Sequence, residues 1–248
     1  MRNITPPHPL QYQRGISLFI VIVLVMLSML LALWSARTSL FNEMVVGNDA
    51  DYQRAFEAAQ ALLQDAEFDI RGVRPDGSDC DRSIAKVTAD TCRPVGADVW
   101  FPNEDKEFGD LVNTLGSKSG TQYCLNGICL KRVGNQDFWN DSTTLDAMLP
   151  AGARYGQYTG AETGAVGSTA SNPILKNTTK GKGGWYWIEV MPYDPNASNS
   201  GLITNGSASL ALNLKPSIAY RITAVARGLK ANTQVVLQST FARQKIKD

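Results

Sequence analysis

The sequence predicts an α+β fold in which one long N-terminal helix packs on an antiparallel β-sheet. A long apolar run near the start passes into a one-sided apolar pattern with helical spacing, which predicts a single helix from residue 16 to about residue 71. Strand-like segments with alternating side chains close the chain. The turn-rich region between them holds the four cysteines. This order of elements is typical of α+β proteins rather than of alternating βα units.

Charge and composition exclude several classes of protein. The 248 residues carry 24 basic and 23 acidic side chains, and a net charge of +1 gives no electrostatic basis for nucleic acid binding. The hydrophobic fraction of 44% is that of a globular protein. The one histidine, His8, lies in a segment that resembles a targeting leader. Because the sequence contains no phosphate-binding loop and no histidine-based catalytic set, we expect no enzyme, no catalytic or metal site, no cofactor and no small-molecule substrate. A carboxylate hydrolase built on paired acids such as Glu104, Asp105 and Glu107 stays open as an alternative.

The first predicted element is an apolar segment between Gly15 and Ala36 that contains no charged residue. As a helix, about 20 such residues cross a hydrocarbon core ~30 Å thick. Arg2 and Arg14 precede the segment and Glu43 follows it. The positive-inside rule then predicts a cytoplasmic N-terminus and an exported globular part.

The second half of the helix, residues 37–71, is predicted to be amphipathic, with apolar residues at three- and four-residue spacing. The C-terminal part of this stripe is expected to pack on the sheet of the same protein. Gly47 weakens the helix, by about 1 kcal/mol relative to alanine. Proline and glycine in residues 72–78 are expected to end it. The stripe consists of Phe41, Val45, Tyr52, Phe56, Ala59, Leu63, Ala66 and Ile70.

The four cysteines follow the apolar segment, which suits a compartment that permits disulfides. Three pairings are possible, and the preferred one joins neighbours, Cys80 with Cys92 and Cys124 with Cys129. Asn126–Gly127 predicts a tight turn, so that the second pair faces across a small hairpin. A zinc site is disfavoured, because the spacing is unusual for zinc and histidine is absent from this region.

The C-terminal part of the chain predicts an antiparallel hairpin. Residues 219–227 and 233–241 are strand-like, and a short link joins them. An earlier strand begins at Trp185 and alternates through Val190. Packing on the sheet is the default expectation for Trp185 and Trp187, and the alternative is an exposed aromatic patch for a partner.

The residues around Gly15, from Gln13 to Leu18, resemble the type III leader of type IV pilins and related pseudopilins. Prepilin peptidase cuts such leaders on the cytoplasmic side, after the glycine. The resemblance implies cleavage after Gly15 and an N-methylated Ile16 as the first residue of the mature chain. An alternative is an uncleaved, single-pass membrane-anchored binding protein or carbohydrate-active enzyme, in which Gly15 is incidental.

A second resemblance lies further along the helix, where a Gly-Asn pair is followed by an Arg-Ala-Phe-Glu-Ala-Ala segment. This pattern is similar to the N-terminal region of the PilX family of minor pilins, and the last strands are similar as well. The resemblance implies a pilin-like fold and a minor pilin that primes or caps a type IV pilus, supporting motility and adhesion. The motif residues are Gly47, Asn48, Arg54, Phe56 and Glu57.

Ile20 is the fifth residue of the implied mature chain, where major pilins carry a glutamate that is thought to pair with a neighbouring N-terminal amine. An aliphatic side chain cannot neutralise a buried ammonium group, so this position favours an initiating or tip subunit. The tip pseudopilin of a type II secretion system also lacks that glutamate, and it stays open as an alternative. The sequence leaves the position in the fibre undecided.

The implied partners are other minor pilins, the major pilin, a large tip adhesin and, before assembly, the bacterial inner membrane. The globular part would lie in the periplasm, and the chain would join the fibre after assembly. The predicted organisation comprises a leader (1–15), a transmembrane half-helix (16–36), an amphipathic half-helix (37–71), a loop-rich variable insertion with two disulfides (72–184) and an antiparallel sheet region (185–248).

Overall fold

The structure, a computed structural model, describes residues 16–80, 92–93, 98–163, 172–192 and 214–244. Among these residues, the helices are α1 (Ile16–Arg71), α2 (Glu107–Lys118) and α3 (Ser142–Met148), with 3₁₀ turns at Gly120–Gln122, Phe138–Asn140 and Leu149–Ala151. The strands are β1 (Cys124–Leu125), β2 (Ile128–Leu130), β3 (Gly183–Pro192), β4 (Leu214–Arg227) and β5 (Gln234–Gln244). The chain divides between Asp49 and Ala50 into two compact units, named here the N-terminal and the C-terminal unit.

The described part of the N-terminal unit is helical throughout. Its residues 16–46 are all exposed, including Phe41 and Val45 of the predicted stripe. Gly47 and Asn48 lie within the helix without interrupting it. A single helix with so much exposed apolar surface buries none of it by itself, so this unit needs an apolar environment or other helices around it.

The sheet of the C-terminal unit has the strand order β1-β2-β3-β4-β5. Strands β3, β4 and β5 run antiparallel, in a register that pairs Trp187 with Thr223 and Ala224 with Leu237. The predicted antiparallel hairpin is thus confirmed as β4–β5. Strand β2 pairs with β3 in parallel, with Ile128 opposite Ile188, so the small cysteine hairpin extends the main sheet.

Helix α1 packs on one face of this sheet. Small residues such as Ala55 and Ala59 share a buried core with Tyr186 and Ile188 of β3. At Gly184 the contact is tight, since an added Cβ would lie 2.6 Å from Cδ1 of Leu62. Alanines on the helix and a glycine on the strand therefore let the two backbones approach closely, which predicts poor tolerance of larger residues here.

The buried face of α1 differs in part from the predicted stripe. Ala59 and Ile70 are buried as expected, whereas Tyr52 is 49% exposed and the fully buried leucine is Leu62 rather than Leu63. The difference arises because aspartates occupy positions on the buried face. A search for apolar spacing leaves such positions out.

The opposite face of the sheet buries the two tryptophans of β3. Trp185 and Trp187 are each at most 2% exposed. The Trp187 ring meets Phe138 edge to face at 5.1 Å between centroids, and its Nε1 donates to the carbonyl of Met148 at 3.1 Å. Sheet packing is therefore confirmed for both, and the interpretation as an exposed aromatic patch was wrong.

The region 72–184 contains more regular structure than a loop-rich insertion suggests. Helix α2 contributes Leu111 and Leu115 to the core shared with α1. Leu145 and Met148 of α3 belong to the second core, around the tryptophans. These elements cover both faces of the sheet, which explains why eight successive residues of β3 are buried.

Candidate assembly interface

Residues 16–36 of α1 form an apolar helical surface, in which every residue is exposed and none is charged. The helix that begins here is long and apolar enough to cross a membrane. Ile16 is its first residue, while Gly15 lies outside the described residues. Ile20 is 50% exposed. Such a surface is stable in contact with lipid or with other apolar helices, which suits an N-terminal membrane anchor.

The residues of the predicted helix motif follow one another along α1 and do not converge on one site. In the N-terminal unit these are Gly47 and Asn48. In the C-terminal unit, Arg54 and Glu57 are exposed, and Phe56 packs partly buried against the core. Their common feature is the helix itself, which favours a role in helix packing over a role in ligand binding.

The buried face of α1 carries carboxylates that sequence reasoning missed as site residues. The first is Asp51, which is 1% exposed. It accepts hydrogen bonds from the backbone amides of Leu229 at 2.9 Å and Lys230 at 3.0 Å, in the loop between β4 and β5. Burial alone would raise the pKa of Asp51, but the amide hydrogen bonds and a bond from Thr233 hold it below the ordinary value. Asp51 therefore fastens the β4–β5 loop to the helix as an ionised group.

The second buried carboxylate, Asp65, contacts a different loop. It accepts a hydrogen bond from the amide of Gly156 at 2.7 Å and a short one from the hydroxyl of Thr159. Burial raises the pKa of Asp65 to about 6, although both hydrogen bonds act in the opposite direction. Asp65 consequently titrates within the range of mildly acidic pH.

The third, Asp69, forms a buried ion pair with Arg93. The guanidinium donates from Nε at 2.8 Å and from Nη2 at 2.7 Å to the two carboxylate oxygens, and Tyr186 donates its hydroxyl at 3.0 Å. The Arg93 side chain is also stacked on the ring of Tyr158, 3.9 Å from its centroid. Two-point pairing of this kind fixes the orientation of both groups.

The spacing of these aspartates contained a usable signal. Asp51, Asp65 and Asp69 interleave with Ala55, Ala58, Leu62 and Ala66 at three- and four-residue intervals, so they continue the stripe of the buried face. Aspartate is read as a surface residue by default, because buried carboxylates are rare. The segments that contact the three aspartates are distant from them in sequence, and no sequence feature identifies these segments as partners.

The disulfide between Cys80 and Cys92 links the end of α1 to the ion pair. Cys80 follows the turn after the helix, and its amide donates to the Gly72 carbonyl at 3.0 Å. Cys92 immediately precedes Arg93, and the two Cα atoms of the bridge are 5.4 Å apart. The bridge therefore keeps Arg93 close to the last turn of the helix.

The second disulfide, between Cys124 and Cys129, closes the β1–β2 hairpin. The two residues are directly opposite each other, with Cα atoms 4.1 Å apart. The turn of this hairpin is held against the sheet, because the carbonyl of Gly127 accepts from the Ile188 amide at 2.7 Å. The structure thus contains the pairing of neighbouring cysteines that the sequence favoured.

No group of three or more His, Cys, Asp or Glu side chains suited to a metal ion occurs among the described residues. The buried carboxylates are instead engaged with amides, hydroxyls and a guanidinium, as described above. Their arrangement connects α1 to the loops around it.

An apolar N-terminal helix that continues into a helix-on-sheet domain with disulfides is the layout of a pilin. Two family models match the chain. The model of the PilX N-terminal domain matches residues 14–64, and that of the C-terminal region of the type IV pilus assembly protein PilX matches residues 125–243. Together they span well over half of the sequence, and the chain belongs to the PilX family of type IV pilus assembly proteins. No curated protein and no solved structure matches it.

Proposed function

We propose that this chain is a minor pilin that primes or caps the type IV pilus. It would act together with other minor pilins, the major pilin and a large tip adhesin, and so support motility and adhesion. The observation that carries this proposal is the exposed apolar helix of residues 16–36 with Ile20 at the fifth mature position. Membership of a family of pilus assembly proteins supports the same proposal.

Before assembly, residues 16–36 hold the chain in the inner membrane as a single span, with the N-terminus in the cytoplasm. The basic residues Arg2 and Arg14 precede the span, and the globular part follows on the periplasmic side. During assembly the helix exchanges lipid for the helices of neighbouring subunits. Because both environments are apolar, packing contacts rather than hydrophobic burial favour the exchange.

The side chain of Ile20 restricts where in the fibre the chain can enter. A subunit whose fifth residue is a carboxylate can pair with the N-terminal ammonium of a neighbour, whereas isoleucine offers no counter-charge. The chain therefore need not be recruited as a major subunit is. A position at the start of the fibre, or at its tip, requires no such recruitment.

Two other functions share some of these features. A tip pseudopilin of a type II secretion system also lacks the glutamate, but the matched family models describe pilus assembly proteins and therefore favour the pilus. An uncleaved membrane-anchored binding protein would keep its leader. A deletion strain distinguishes the two alternatives. It should lose secretion if the chain is a tip pseudopilin, and it should have normal pili if the chain is an anchored binding protein.

Cleavage after Gly15 is tested by N-terminal peptide and intact-mass spectrometry on the chain from cells with and without prepilin peptidase. We expect a chain that starts at N-methylated Ile16 only when the peptidase is present. The Gly15→Val variant should keep residues 1–15 and still insert into the membrane. Gln11→Ala, a change within the leader but away from the junction, serves as the control, and equal processing of both variants would contradict the assignment.

The place of the chain in the fibre is tested by immunogold labelling of pili that carry an epitope-tagged copy. We expect label at one end of each fibre, and we expect deletion of the gene to reduce the number of fibres more than their length, because initiation is lost. Label distributed evenly along the fibres would exclude a priming or capping role, but it would not contradict cleavage after Gly15.

A further inference from the structure

Among the described residues that line an open cleft in the C-terminal unit, none belongs to α1. The cleft has a volume of about 740 Å³, within the range of ligand pockets in proteins. It lies over the buried Trp185, where residues of α3, of the 3₁₀ turn that follows α3 and of the loops around Arg154 and Lys180 meet the end of β4. The residues used below are Asp146, Arg154, Gln157, Lys180, Trp185 and Arg227.

Arg154 is held in place at the wall of this cleft. Its Nη1 donates to the carbonyl oxygens of Asn177 at 3.1 Å and Lys182 at 2.8 Å, and its guanidinium lies 4.1 Å from the centre of the Trp185 ring. Gly183 makes room for this arrangement, because a Cβ there would lie 2.6 Å from Nη1. The position of the guanidinium is therefore fixed by backbone and packing, as in a preformed binding site.

Among the described residues, carbonyl oxygens accept hydrogen bonds from Arg154, and no carboxylate lies within ion-pairing distance of its guanidinium. Partial burial lowers the pKa of Arg154, and no neighbouring acid opposes that effect. Burial has removed part of the hydration of this cation, and an anion bound beside it would compensate for that loss. By contrast, Arg227 is paired with Asp146 at 2.9 Å.

The lining of the cleft is positively charged overall. Arg154, Lys180 and Arg227 contribute cations, and Asp146 contributes the acid. Arg227 also lies 5.9 Å from the centre of the Trp185 ring, so two guanidinium groups lie near the same aromatic ring. Arginine in a fixed orientation matches the planar geometry of a carboxylate.

We propose that this cleft binds an acidic peptide segment of a neighbouring pilus subunit, with Arg154 as the main carboxylate-binding residue. The charge of the lining selects acidic side chains, and the size of the cleft accommodates a few residues of extended chain. The identity of the partner as a pilus subunit rests on the proposed function. The binding of a carboxylate-bearing peptide by this chain does not rest on the proposed function.

The first test uses the full processed chain in neutral detergent micelles and a tetraglutamate peptide as the probe. We expect saturable changes in the NMR signals of the Trp185 indole and the Arg154 guanidinium. Arg154→Gln should weaken binding by at least about tenfold, the loss expected for a hydrogen bond between charged groups. Lys131→Gln, an exposed lysine away from the cleft, is the matched control and should bind as the unchanged chain does.

Arg154→Gln also removes hydrogen bonds that hold the loop, so a second variant protects the conclusion from a folding defect. Lys180 is exposed and lines the cleft. Lys180→Glu should keep the fold and weaken tetraglutamate binding about fivefold, by removing one attraction and adding a repulsion. Unchanged binding in a folded Lys180→Glu chain, or the absence of saturable binding to the unchanged chain, would overturn the proposal.

Further measurements separate other sources of anionic ligand. Inorganic phosphate and phosphatidylglycerol nanodiscs are titrated in place of the peptide. Signal changes at the cleft with nanodiscs and none with tetraglutamate would assign the cleft to lipid instead. In piliated cells, a photo-crosslinker at Gln157 should capture a pilus subunit through a peptide that contains Asp or Glu, and Lys180→Glu should reduce this product. A captured peptide without acidic residues would contradict the proposal.

The two proposals fail in distinguishable ways. If the chain binds tetraglutamate through the cleft but fibres carry no label and do not depend on it, the proposed function fails and the cleft remains. If fibre assembly depends on the chain but tetraglutamate and the crosslinker give negative results, the cleft has no such ligand and the proposed function is unaffected.

Discussion

Asp65 binds its proton more tightly than a carboxylate in water, because its burial outweighs the hydrogen bonds that it accepts from Thr159 and Gly156. Burial raises the pKa of Asp65 from 3.8 to about 6. Because the raised pKa belongs to the folded state, the stabilisation linked to the proton is complete below about pH 4 and is lost as the pH rises through 6. This residue thus makes the C-terminal unit more stable in mild acid than at neutral pH.

We expect Asp65→Asn to remove this part of the pH dependence. Because the unchanged chain loses stability as Asp65 ionises, the free energy of unfolding of the variant should rise relative to that of the unchanged chain by about 2 kcal/mol between pH 4 and pH 7. Urea unfolding of the full chain in micelles, followed by the fluorescence of the buried tryptophans, measures it. Asp110→Asn, an exposed carboxylate in α2, is the control. Parallel pH profiles for Asp65→Asn and the unchanged chain would refute the assignment.

The ion pair of Asp69 and Arg93 differs from the other ion pair at the end of α1 in its burial. We expect Arg93→Met to lower the free energy of unfolding by about 3–5 kcal/mol, since it leaves a buried carboxylate without the charge of Arg93. Arg71→Met removes the partner of Glu67, a pair whose side chains are 47% and 33% exposed, and should cost less than about 1 kcal/mol. Chemical denaturation compares the two variants, and equal losses would contradict the role given to burial.

At the scale of elements, local pattern predicted more than long-range pairing did. The uncharged run and the one-sided stripe predicted α1, alternation and a short link predicted β4–β5, and Asn126–Gly127 predicted the turn between β1 and β2. Each of these depends on residues close in sequence. The parallel pairing of β2 with β3 joins segments about sixty positions apart, and nothing in either segment specifies its partner.

Helix α2 shows a different limit of sequence reasoning. Leu111 and Leu115 have helical spacing, so the pattern was present, but glycines within and around the segment masked it. Among the predicted site residues, Ile16 and Ile20 rest on the resemblance of the N-terminal segment to pilin leaders, and their roles stay predictions. The buried aspartates of α1 could not be predicted as site residues, because the groups that bond to their carboxylates come from loops that only the folded chain brings together.

The two disulfides stabilise elements of different kinds, which gives a prediction at this scale. Replacing both cysteines of the Cys124–Cys129 pair by serine should cost about 2 kcal/mol, because the loop that it closes is short. Replacing Cys80 and Cys92 should cost about 3 kcal/mol from the longer loop, and more in total because Arg93 is then less restrained.

Thermal unfolding under oxidising conditions measures both double variants, with the disulfide-bonded unchanged chain as the reference. The Cys80–Cys92 variant should also reduce the effect of a subsequent Arg93→Met change, because the two act on the same contact. Strict additivity of the two changes would show that the bridge does not position Arg93.

At the scale of the whole molecule, the two units have different requirements. The C-terminal unit has two cores of its own, one on each face of its sheet. The described N-terminal unit has exposed apolar side chains along its length. Under the proposed function, assembly would therefore depend on the sequence of residues 16–36 to a degree that folding of the globular part does not.

Introducing a carboxylate at the fifth mature position tests this dependence. We expect Ile20→Glu to increase the amount of this chain along purified fibres, because the new carboxylate can pair with the N-terminal ammonium of a neighbour. Leu24→Glu, one helical turn further, has the same cost of about 2.5–3.5 kcal/mol in lipid and no such partner, so it should reduce incorporation. Quantitative mass spectrometry of sheared fibres measures both. Equal behaviour of the two variants would contradict the role of position five.

The aspartates of α1 also determine how the C-terminal unit would respond to mechanical load. From Asp51 to Asp69 they extend over about 27 Å of helix, and each holds a different segment of the domain. A force along the helix axis cannot detach these segments one at a time, as peeling would. It must shear them together, so the load is shared among separate attachment points.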